Sequence, residues 1–370
     1  MKILFCYESI GIHPIPFYLS KSLKKLGHQV INCGPGKNQD IITSQTEDIE
    51  NILKKSGPVD LIFVEESPFI PKNLENCPIP KAIRLVDSHL HFNIYHKDLA
   101  NVFDFIFITQ NKYVQKMRKD GFKNVFYLPH AYDSDICKDL NFKRVYDCAY
   151  VGTFNTLHNP KKSFFFAILK KLTKIKIGQK IYGAQMAKIY NQAKITVNLS
   201  NASDLNPRTF ESMACGSLLI TDLQDNLLNF FANRKHLAVY KNYFQVPKLI
   251  NYYLKNSDQR LEIARKGQKE TLKNHTYLKR AEELIKYLKS VLREKKTTNK
   301  DYLYSLGKTY FFLYHRQTTI SYFKKFLYKK KGLSLKKVRA LIFLSIATIS
   351  PPFFYRLSIF FLRRYLRIIH

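Results

Sequence analysis

Residues 206–211 combine groups that could bind a phosphate and a ribose. Asn206 and Pro207 are typical of a helix start, where a capping side chain precedes a residue that lacks an N–H. Arg208 and Glu211 follow three residues apart, so they share one helix face. The first-turn N–H groups, the helix dipole and Arg208 suit a phosphate, and Glu211 could accept two ribose hydroxyl protons. An ordinary surface ion pair is the alternative.

The flanking residues place this helix between two buried strands. Residues 195–199 alternate and are β-branched, which predicts a strand. Gly216 is expected to end the helix, and residues 218–220 begin the next strand. The candidate site therefore lies beyond a strand end in a βαβ unit.

Residues 206–216 resemble the donor-site signature of group 1 glycosyltransferases of the GT-B fold. In the longer form of that signature two glutamates lie eight residues apart; Glu211 matches the second, and Ser203 stands at the position of the first. The serine and the Arg-Thr-Phe-Glu run at 208–211 resemble the CgeB-like branch. The resemblance implies an α/β fold with two Rossmann-like domains facing a cleft, and a nucleotide-sugar donor.

Length and composition agree with two domains and an extension. The chain has 370 residues, of which 45% are hydrophobic and 14% aromatic, which excludes wholesale disorder. Its six cysteines are dispersed without a Cys-x-x-Cys pair, so we expect reduced, buried thiols rather than disulfides or zinc ligands. The apolar run at 1–7 is too short for a signal peptide and predicts a first strand in a cytoplasmic protein.

The net charge of +33 predicts an anionic partner: nucleic acid, an anionic membrane surface or a phosphorylated substrate. The charge is uneven, because residues 296–370 hold 16 Lys or Arg and one acidic residue, Asp301. No helix-turn-helix, RRM or zinc-ligand spacing is present, so we do not expect nucleic acid to be the partner. A lysine-rich composition without function is the alternative.

Near-continuous apolar runs separated by helical segments predict a parallel sheet covered on both faces. We divide the chain into an N-terminal Rossmann-like acceptor domain (1–135), a C-terminal Rossmann-like donor domain with a closing helix (136–295) and a basic, apolar helical extension (296–370). Gly11 follows the first strand without a full Gly-x-Gly-x-x-Gly, so no dinucleotide cofactor is inferred. The first-domain runs are 3–6, 30–33, 61–64, 82–86, 105–108 and 125–128.

The resemblance also implies the donor contacts. Residues 148–154 would form the first strand of the second domain and its Gly152 turn, where the backbone approaches the donor diphosphate, as do Asn206 and Arg208, while Glu211 holds the ribose. Lys161 or Lys162 could reach a phosphate. No Asp-x-Asp stands at a strand end, so we expect no metal, and the nucleotide-sugar is a substrate rather than a cofactor.

An inverting transferase also needs a base for the acceptor hydroxyl, and the first-domain strand ends offer five candidates. We favour His89, a neutral imidazole near the working pH, with Asp87 as its orienting group. The alternative for each candidate is a cleft-lining or capping role. The five candidates are Glu65, Glu66, Asp87, His89 and His91.

The C-terminal residues predict two pairs of helices. Residues 301–307 and 319–328 read as a helical hairpin, and the apolar runs 340–350 and 353–362 are separated by Pro351 and Pro352. Each apolar run is shorter than the about 20 residues that cross a bilayer. Basic residues flank them, so 329–370 are interpreted as an interfacial pair on an anionic membrane, and a helical subdomain docked on the core is the alternative.

Together these features predict a cytoplasmic glycosyltransferase at the inner face of the cell membrane. It would transfer a sugar from a nucleotide-sugar to a cell-envelope or surface-glycan acceptor, including a lipid-linked one. Because the first glutamate is absent, a catalytically inactive GT-B scaffold that binds sugar nucleotide or envelope glycan is the main alternative, ahead of a nucleic-acid-binding protein.

Overall fold

The computed structural model describes residues 1–9, 15–152, 160–200, 204–291, 302–330, 332 and 334–368. Two parallel sheets with flanking helices are followed by a C-terminal helical region, which confirms the predicted fold class. The helices in chain order are α1 (Ile15–Lys25), α2 (Ile49–Ser56), α3 (Ser88–His91), α4 (Lys97–Leu99), α5 (Asn111–Lys119), α6 (Pro160–Leu172), α7 (Gly183–Asn191), α8 (Pro207–Ala214), α9 (Leu227–Phe230), α10 (Gln245–Lys255), α11 (Ser257–Asn274), α12 (Tyr277–Val291), α13 (Tyr302–Phe312), α14 (Arg316–Lys329), α15 (Leu335–Ile349) and α16 (Pro352–Ile368).

The first sheet has seven parallel strands in the order β3-β2-β1-β4-β5-β6-β7. All six strands expected from the apolar runs are present, and β4, β5 and β6 are buried throughout, as strands covered on both faces must be. The two-residue β3 was not predicted, because two residues carry no pattern. The strands are β1 (Lys2–Cys6), β2 (Gln29–Gly34), β3 (Ile41–Ile42), β4 (Leu61–Glu65), β5 (Lys81–Leu85), β6 (Phe105–Ile108) and β7 (Val125–Tyr127).

The second sheet has five parallel strands in the order β12-β11-β10-β8-β9. Asn198, the last residue of β10, lies opposite Thr221 of β11, so both lie at the carboxyl ends of their strands. Helix α8 connects these two strands and ends before Gly216, whose φ of +75° suits a glycine. The strands are β8 (Tyr146–Val151), β9 (Ile175–Gly178), β10 (Ala193–Asn198), β11 (Leu218–Asp222) and β12 (Ala238–Tyr240).

Helices α13 and α14 are part of the core that covers the first sheet. The Tyr310 hydroxyl donates to the carbonyl of Ile70 at 2.9 Å, and the backbone N–H of Asn73 donates to the Tyr322 hydroxyl at 2.9 Å. Lys308 forms an ion pair with Asp98 at 2.6 Å. The helical hairpin predicted from residues 301–307 and 319–328 is therefore present as α13 and α14, and it packs on the core of the first unit.

The chain forms two compact units with interleaved segments. The first comprises Met1–Gly11, Leu23–Leu128 and Leu284–His370, and the second comprises Ile12–Ser22 and Pro129–Glu283. This differs from the expected three consecutive domains (1–135, 136–295, 296–370), because the C-terminal helices bury their aromatic side chains in the first unit. All six cysteines are buried free thiols, as predicted. Among the described residues, no helix combines the length and apolar character needed to cross a bilayer.

Candidate functional site

The start of α8 in the second unit is held by an asparagine pair. Asn206 occupies the N-cap position, but its side chain makes no capping hydrogen bond, which corrects the expectation from the sequence. Instead the Asn198 amide donates to Oδ1 of Asn206 at 3.2 Å. Both side chains are buried, so the pair fastens the helix start to the end of β10 and leaves the first turn without a side-chain cap.

Arg208 lies against the turn that follows β8. Its Nε donates to Oδ1 of Asn198 at 3.1 Å, and its guanidinium carbon lies 5.7 Å from the ring centroid of Tyr150. A Cβ built on Gly152 would lie only 2.6 Å from Nη1 of Arg208. A larger residue there would displace the ends of the Arg208 and Tyr150 side chains. The structure therefore brings together Gly152, Asn206 and Arg208, three of the expected phosphate-binding positions.

Glu211 is half-buried, and its carboxylate has no hydrogen bond or ion pair with any residue that the structure describes. It does not pair with Arg208, so the alternative of a surface ion pair is wrong. Burial raises the pKa of Glu211 to about 7, against the opposing attraction of Arg208. Its charge also adds to burial in raising the pKa of the Tyr18 and Tyr190 hydroxyls. The carboxylate is therefore desolvated but keeps its capacity to accept hydrogen bonds.

A buried polar network supports this segment, and the sequence did not reveal it. The Thr209 hydroxyl donates to Oε1 of Gln224 at 2.9 Å, and the Gln224 amide donates to the Thr221 hydroxyl at 2.6 Å. The Tyr240 hydroxyl donates to the backbone carbonyl of Asn198 at 3.0 Å. The available signal was a polar residue at the carboxyl end of each strand, Asn198 as the last residue of β10 and Thr221 as the last but one of β11.

Several expected donor contacts lie outside the described residues. Lys161 and Lys162 belong to the first turn of α6, and their side chains are outside the described part of the structure. Ser203 and Gly11 lie entirely outside the described residues. Across the ranges that the structure describes, no three His, Cys, Asp or Glu side chains cluster as metal ligands would.

Two of the five candidate bases in the first unit already have buried partners. Glu65 forms an ion pair with Arg84 at 2.6 Å, and their side chains are only 2% and 1% exposed. Burial raises the pKa of Glu65 to about 7, and Arg84 opposes that shift. Neither group can touch a substrate from inside the sheet, which excludes Glu65 as the base.

Glu66 is the centre of a hydrogen-bond cluster. Its Oε1 lies 2.5 Å from Nε2 of His96 and accepts from the Tyr95 hydroxyl at 2.5 Å, while Oε2 accepts from the backbone N–H of Val86 at 2.7 Å. Burial acts to raise the pKa of Glu66, but attraction by His96 and these hydrogen bonds outweigh it and lower the pKa. The ring of His91 stacks on Tyr95 at 5.1 Å. This cluster holds the π-helical turn Phe92–His96 onto β4, so Glu66 has a structural role.

His89 is oriented by Gln110. Its backbone N–H donates to Oε1 of Gln110 at 2.9 Å, which fixes the amide so that its nitrogen lies 3.2 Å from Nδ1 of the His89 ring. An amide nitrogen only donates, so Nδ1 accepts and the neutral ring carries its proton on Nε2. The half-buried ring therefore presents an N–H at Nε2, and the base role of His89 stays a prediction.

Asp87 is exposed and has a left-handed backbone with φ of 48°. Although it precedes α3, its side chain makes no capping hydrogen bond to that helix. Gln110 supplies the contact to Nδ1 of His89 that we expect of Asp87 from the sequence.

Comparisons with known proteins agree with this geometry. Residues 138–286 match a family model described as glycosyl transferase-like. No curated protein is significantly similar in sequence. Anabaena Alr3699/HepE in complex with UDP and glucose has a TM-score of 0.61 and 12% identity, covering 79% of this chain and 100% of its own.

Two further solved structures resemble this chain to a similar degree. Sucrose-phosphate synthase from Thermosynechococcus elongatus has a TM-score of 0.58 at 11% identity and covers 79% of this chain and 99% of its own. AviGT4, a glycosyltransferase involved in avilamycin A biosynthesis, has a TM-score of 0.55 at 12% identity, with 79% and 98% covered. At these identities the likeness shows the fold, which is GT-B. Together with the family match it supports an enzyme that transfers glycosyl groups.

Proposed function

We propose that this protein is a glycosyltransferase that binds a nucleotide-sugar in its second unit and transfers the sugar to a cell-envelope or surface-glycan acceptor. One observation carries the proposal: Glu211, a half-buried carboxylate that has no hydrogen-bond or ion-pair partner among the described residues, follows one turn after an arginine that lies against Gly152. The complexes of Alr3699/HepE contain UDP and UDP-glucose, which makes a UDP-sugar the first donor to test.

The proposed donor contacts follow from the chemistry of each group. Arg208 and the uncapped first turn of α8 stabilise the leaving diphosphate, with Lys162 as a second cation. Gly152 permits the diphosphate to approach the backbone. Glu211 accepts hydrogen bonds from the ribose hydroxyls, and because its ionised form is the better acceptor, donor binding should strengthen as the pH rises through about 7.

The finer features of the reaction are proposed on weaker support. The absence of Asp-x-Asp at a strand end and the cations at the donor site favour transfer without a metal. The Arg-Thr-Phe-Glu run and Ser203 favour the CgeB-like branch. His89 contacts the acceptor through its Nε2–H. The reaction takes place at the cytoplasmic face of the membrane, because 329–370 hold ten basic residues and no acidic one.

A thermal-shift screen against UDP, GDP, CMP, ADP and dTDP and their sugars tests the donor site. A ligand at a hundredfold excess over its Kd stabilises the native state by about 2.7 kcal/mol. We expect one nucleotide to raise the Tm of the wild type and not that of Glu211→Gln. The matched control is Glu262→Gln, a glutamate of the same unit whose side chain is 62% exposed beside Lys266, and which should keep the shift. No shift with any nucleotide would contradict the proposal.

An inactive scaffold is the second candidate, because Ser203 replaces the first glutamate of the longer signature. It would bind the nucleotide as the enzyme does. Release of free sugar from the donor, measured with wild type and Arg208→Ala, separates the two: slow hydrolysis lost in the variant means an enzyme, and binding without hydrolysis or transfer means a scaffold.

A further inference from the structure

The last two helices of the first unit turn their large apolar side chains outward. On both helices the exposed positions recur at intervals of three, four or seven residues, which places them along one face. Helix α15 exposes Leu335, Val338, Leu341, Ile342 and Ile349 by 40% to 80%. Helix α16 exposes Phe353, Phe354, Phe360, Phe361 and Tyr365 by 53% to 70%.

The opposite face of each helix contacts the protein. Ala340 and Ala347 of α15 are fully buried, and Tyr355 and Ile359 of α16 are buried in the same core. The largest side chain of α15, Phe343, also packs inward, against Phe311, Phe312 and Phe323. Helix α15 is therefore apolar on its outer face as well as its inner face, and contiguous exposed apolar surface of this kind marks an interaction site.

The positive charge around these two apolar faces indicates which kind of partner they could bind. Residues 335–368 hold seven Lys or Arg and no Asp or Glu, and the whole chain carries +33. A second copy of this chain would bring the same positive charge to the contact, which opposes self-association through this face. An anionic lipid surface offers both an apolar interior for the aromatic side chains and negative headgroups for the basic ones.

We infer that α15 and α16 lie in the interface of an anionic bilayer, with their exposed apolar faces at the boundary of headgroups and acyl chains. The helices have 15 and 17 residues, so each suits a position parallel to the membrane plane. This inference identifies the surface that holds the proposed glycosyltransferase at the membrane, but lipid binding by the helices does not depend on sugar transfer.

Polar contacts fasten the two helices to the unit that bears the acceptor-site candidates. Arg316 of α14 donates through Nε to the carbonyl of Ala347 at 2.5 Å. Arg363 of α16 donates to the carbonyl of Phe312, and its guanidinium carbon lies 5.1 Å from the ring centroid of Tyr314. These contacts hold the helices in place without a membrane, so docking requires no refolding.

Helix α16 also packs against the π-helical turn Phe92–His96. The positive charge of Arg363 reaches Tyr95 of that turn, where it acts against the effects of burial and Glu66 on the tyrosine pKa. This turn follows His89 and His91 directly. A membrane bound by α16 therefore contacts the same unit that bears His89. Helix α16 packs against the turn that directly follows the segment proposed to contact the acceptor.

Flotation of the full chain with vesicles tests the inference. One set is phosphatidylcholine alone, and the other contains about 30% phosphatidylglycerol, enough to give a strongly negative surface. We expect the wild type to float with the anionic vesicles only, and to be released by high salt. The Phe353→Ser/Phe360→Ser variant should lose at least about tenfold in partitioning, because it removes two inserted rings.

Two further variants control for folding and charge. Phe244→Ser removes an aromatic side chain that is 86% exposed on the second unit, and it should float like the wild type. Arg356→Glu/Arg364→Glu reverses two exposed charges and should weaken binding to anionic vesicles by about tenfold or more. All variants should keep the wild-type Tm and the nucleotide shift of the donor-site screen, so failure of lipid binding and failure of donor binding are separate results.

Either of two results would overturn the inference. The first is a wild type that does not bind anionic vesicles, or that binds them equally well as Phe353→Ser/Phe360→Ser. The second is self-association of the lipid-free wild type, measured by sedimentation, that disappears in the same double variant; a second copy of the chain would then be the occupant.

Discussion

The buried carboxylates of the two units have opposite surroundings. In the first unit Glu65 pairs with Arg84, and Glu66 accepts from Tyr95, His96 and a backbone N–H. In the second unit Glu211 is half-buried and has no side-chain partner in the described part of the chain. The first unit uses its buried carboxylates to hold elements together, whereas Glu211 leaves its hydrogen-bonding capacity unused among the described residues, as the proposed donor site requires.

A shifted pKa alone does not distinguish these roles. Burial raises the pKa of both Glu65 and Glu211 to about 7. What differs is the partner: Glu65 has a guanidinium 2.6 Å away inside the sheet, whereas Glu211 lies three residues from an arginine that is directed to Asn198 and Gly152. A perturbed carboxylate indicates a binding site when its hydrogen-bonding capacity is also unused.

The largest expected effect comes from removing the partner in the first unit. Arg84→Met leaves Glu65 buried without its cation, which should lower the free energy of unfolding by about 3–5 kcal/mol at pH 8. Urea unfolding measures it. The loss should be smaller at acid pH, because a protonated Glu65 carries no charge to desolvate.

The matched control is the double variant Glu65→Gln/Arg84→Met, which removes both charges. It should regain most of the stability lost in Arg84→Met, because no buried charge remains unpaired. If Arg84→Met and the double variant are equally destabilised at every pH, packing rather than the ion pair holds β4 to β5, and the contrast with Glu211 fails.

In the second unit, removing the buried carboxylate of Glu211 should stabilise the protein rather than destabilise it. The pKa of Glu211 is raised to about 7 in the folded state, so ionisation opposes folding. The penalty is absent at acid pH, grows as the pH rises from the ordinary glutamate range, and is complete above pH 7. Glu211→Gln should therefore stabilise the protein by up to about 3 kcal/mol at pH 8 and leave it unchanged at pH 4.

Thermal melting of ligand-free wild type and Glu211→Gln across that pH range measures this gain. Glu262→Gln, at an exposed ion pair, should change the Tm little at any pH. A variant that is more stable yet no longer shifted by nucleotide would show that the carboxylate is kept for binding. Destabilisation of Glu211→Gln at pH 8 would instead mean that Glu211 supports the fold.

The sequence predicted the strands of the two sheets better than it predicted which side chains pair with one another. Apolar runs identified the strands because both faces of a parallel sheet are covered, and Asn206, Pro207 and Gly216 marked the bounds of α8. The proximity of Arg208 and Gly152 could be expected only from the resemblance, since β8 and α8 are far apart in the chain.

The sequence could not predict side-chain pairs that depend on strand register or on turns distant in the chain. Glu65 meets Arg84 because the two residues lie opposite each other on β4 and β5, a register that no local pattern encodes. Glu66 meets His96 across a π-helical turn, which is equally invisible in the sequence. The apolar runs of the last two helices were evident, but which side faces water depended on the packing.

The smallest expected effect sharpens the comparison at His89, where an uncharged side chain does the orienting. At a pH high enough to ionise the buried carboxyl introduced by Gln110→Glu, one carboxylate oxygen keeps the backbone N–H of His89. The other oxygen can then only accept from Nδ1, so the ring proton should move from Nε2 to Nδ1. A hydrogen bond to a charged acceptor makes that preference at least about tenfold. Two-bond correlations between ring nitrogens and ring protons in NMR spectra distinguish the two tautomers. Asp87→Asn, at the exposed neighbour, should leave the spectrum as in the wild type.

The activity of Gln110→Glu then decides what His89 does. If an acceptor proton must be taken up at Nε2, the variant, with a free lone pair there, should transfer sugar faster than the wild type at the same donor occupancy. If His89 binds the acceptor by donating from Nε2, the variant should have a higher KM for the acceptor with the donor-site screen unchanged. An unchanged tautomer in Gln110→Glu would mean that Gln110 does not set the state of His89.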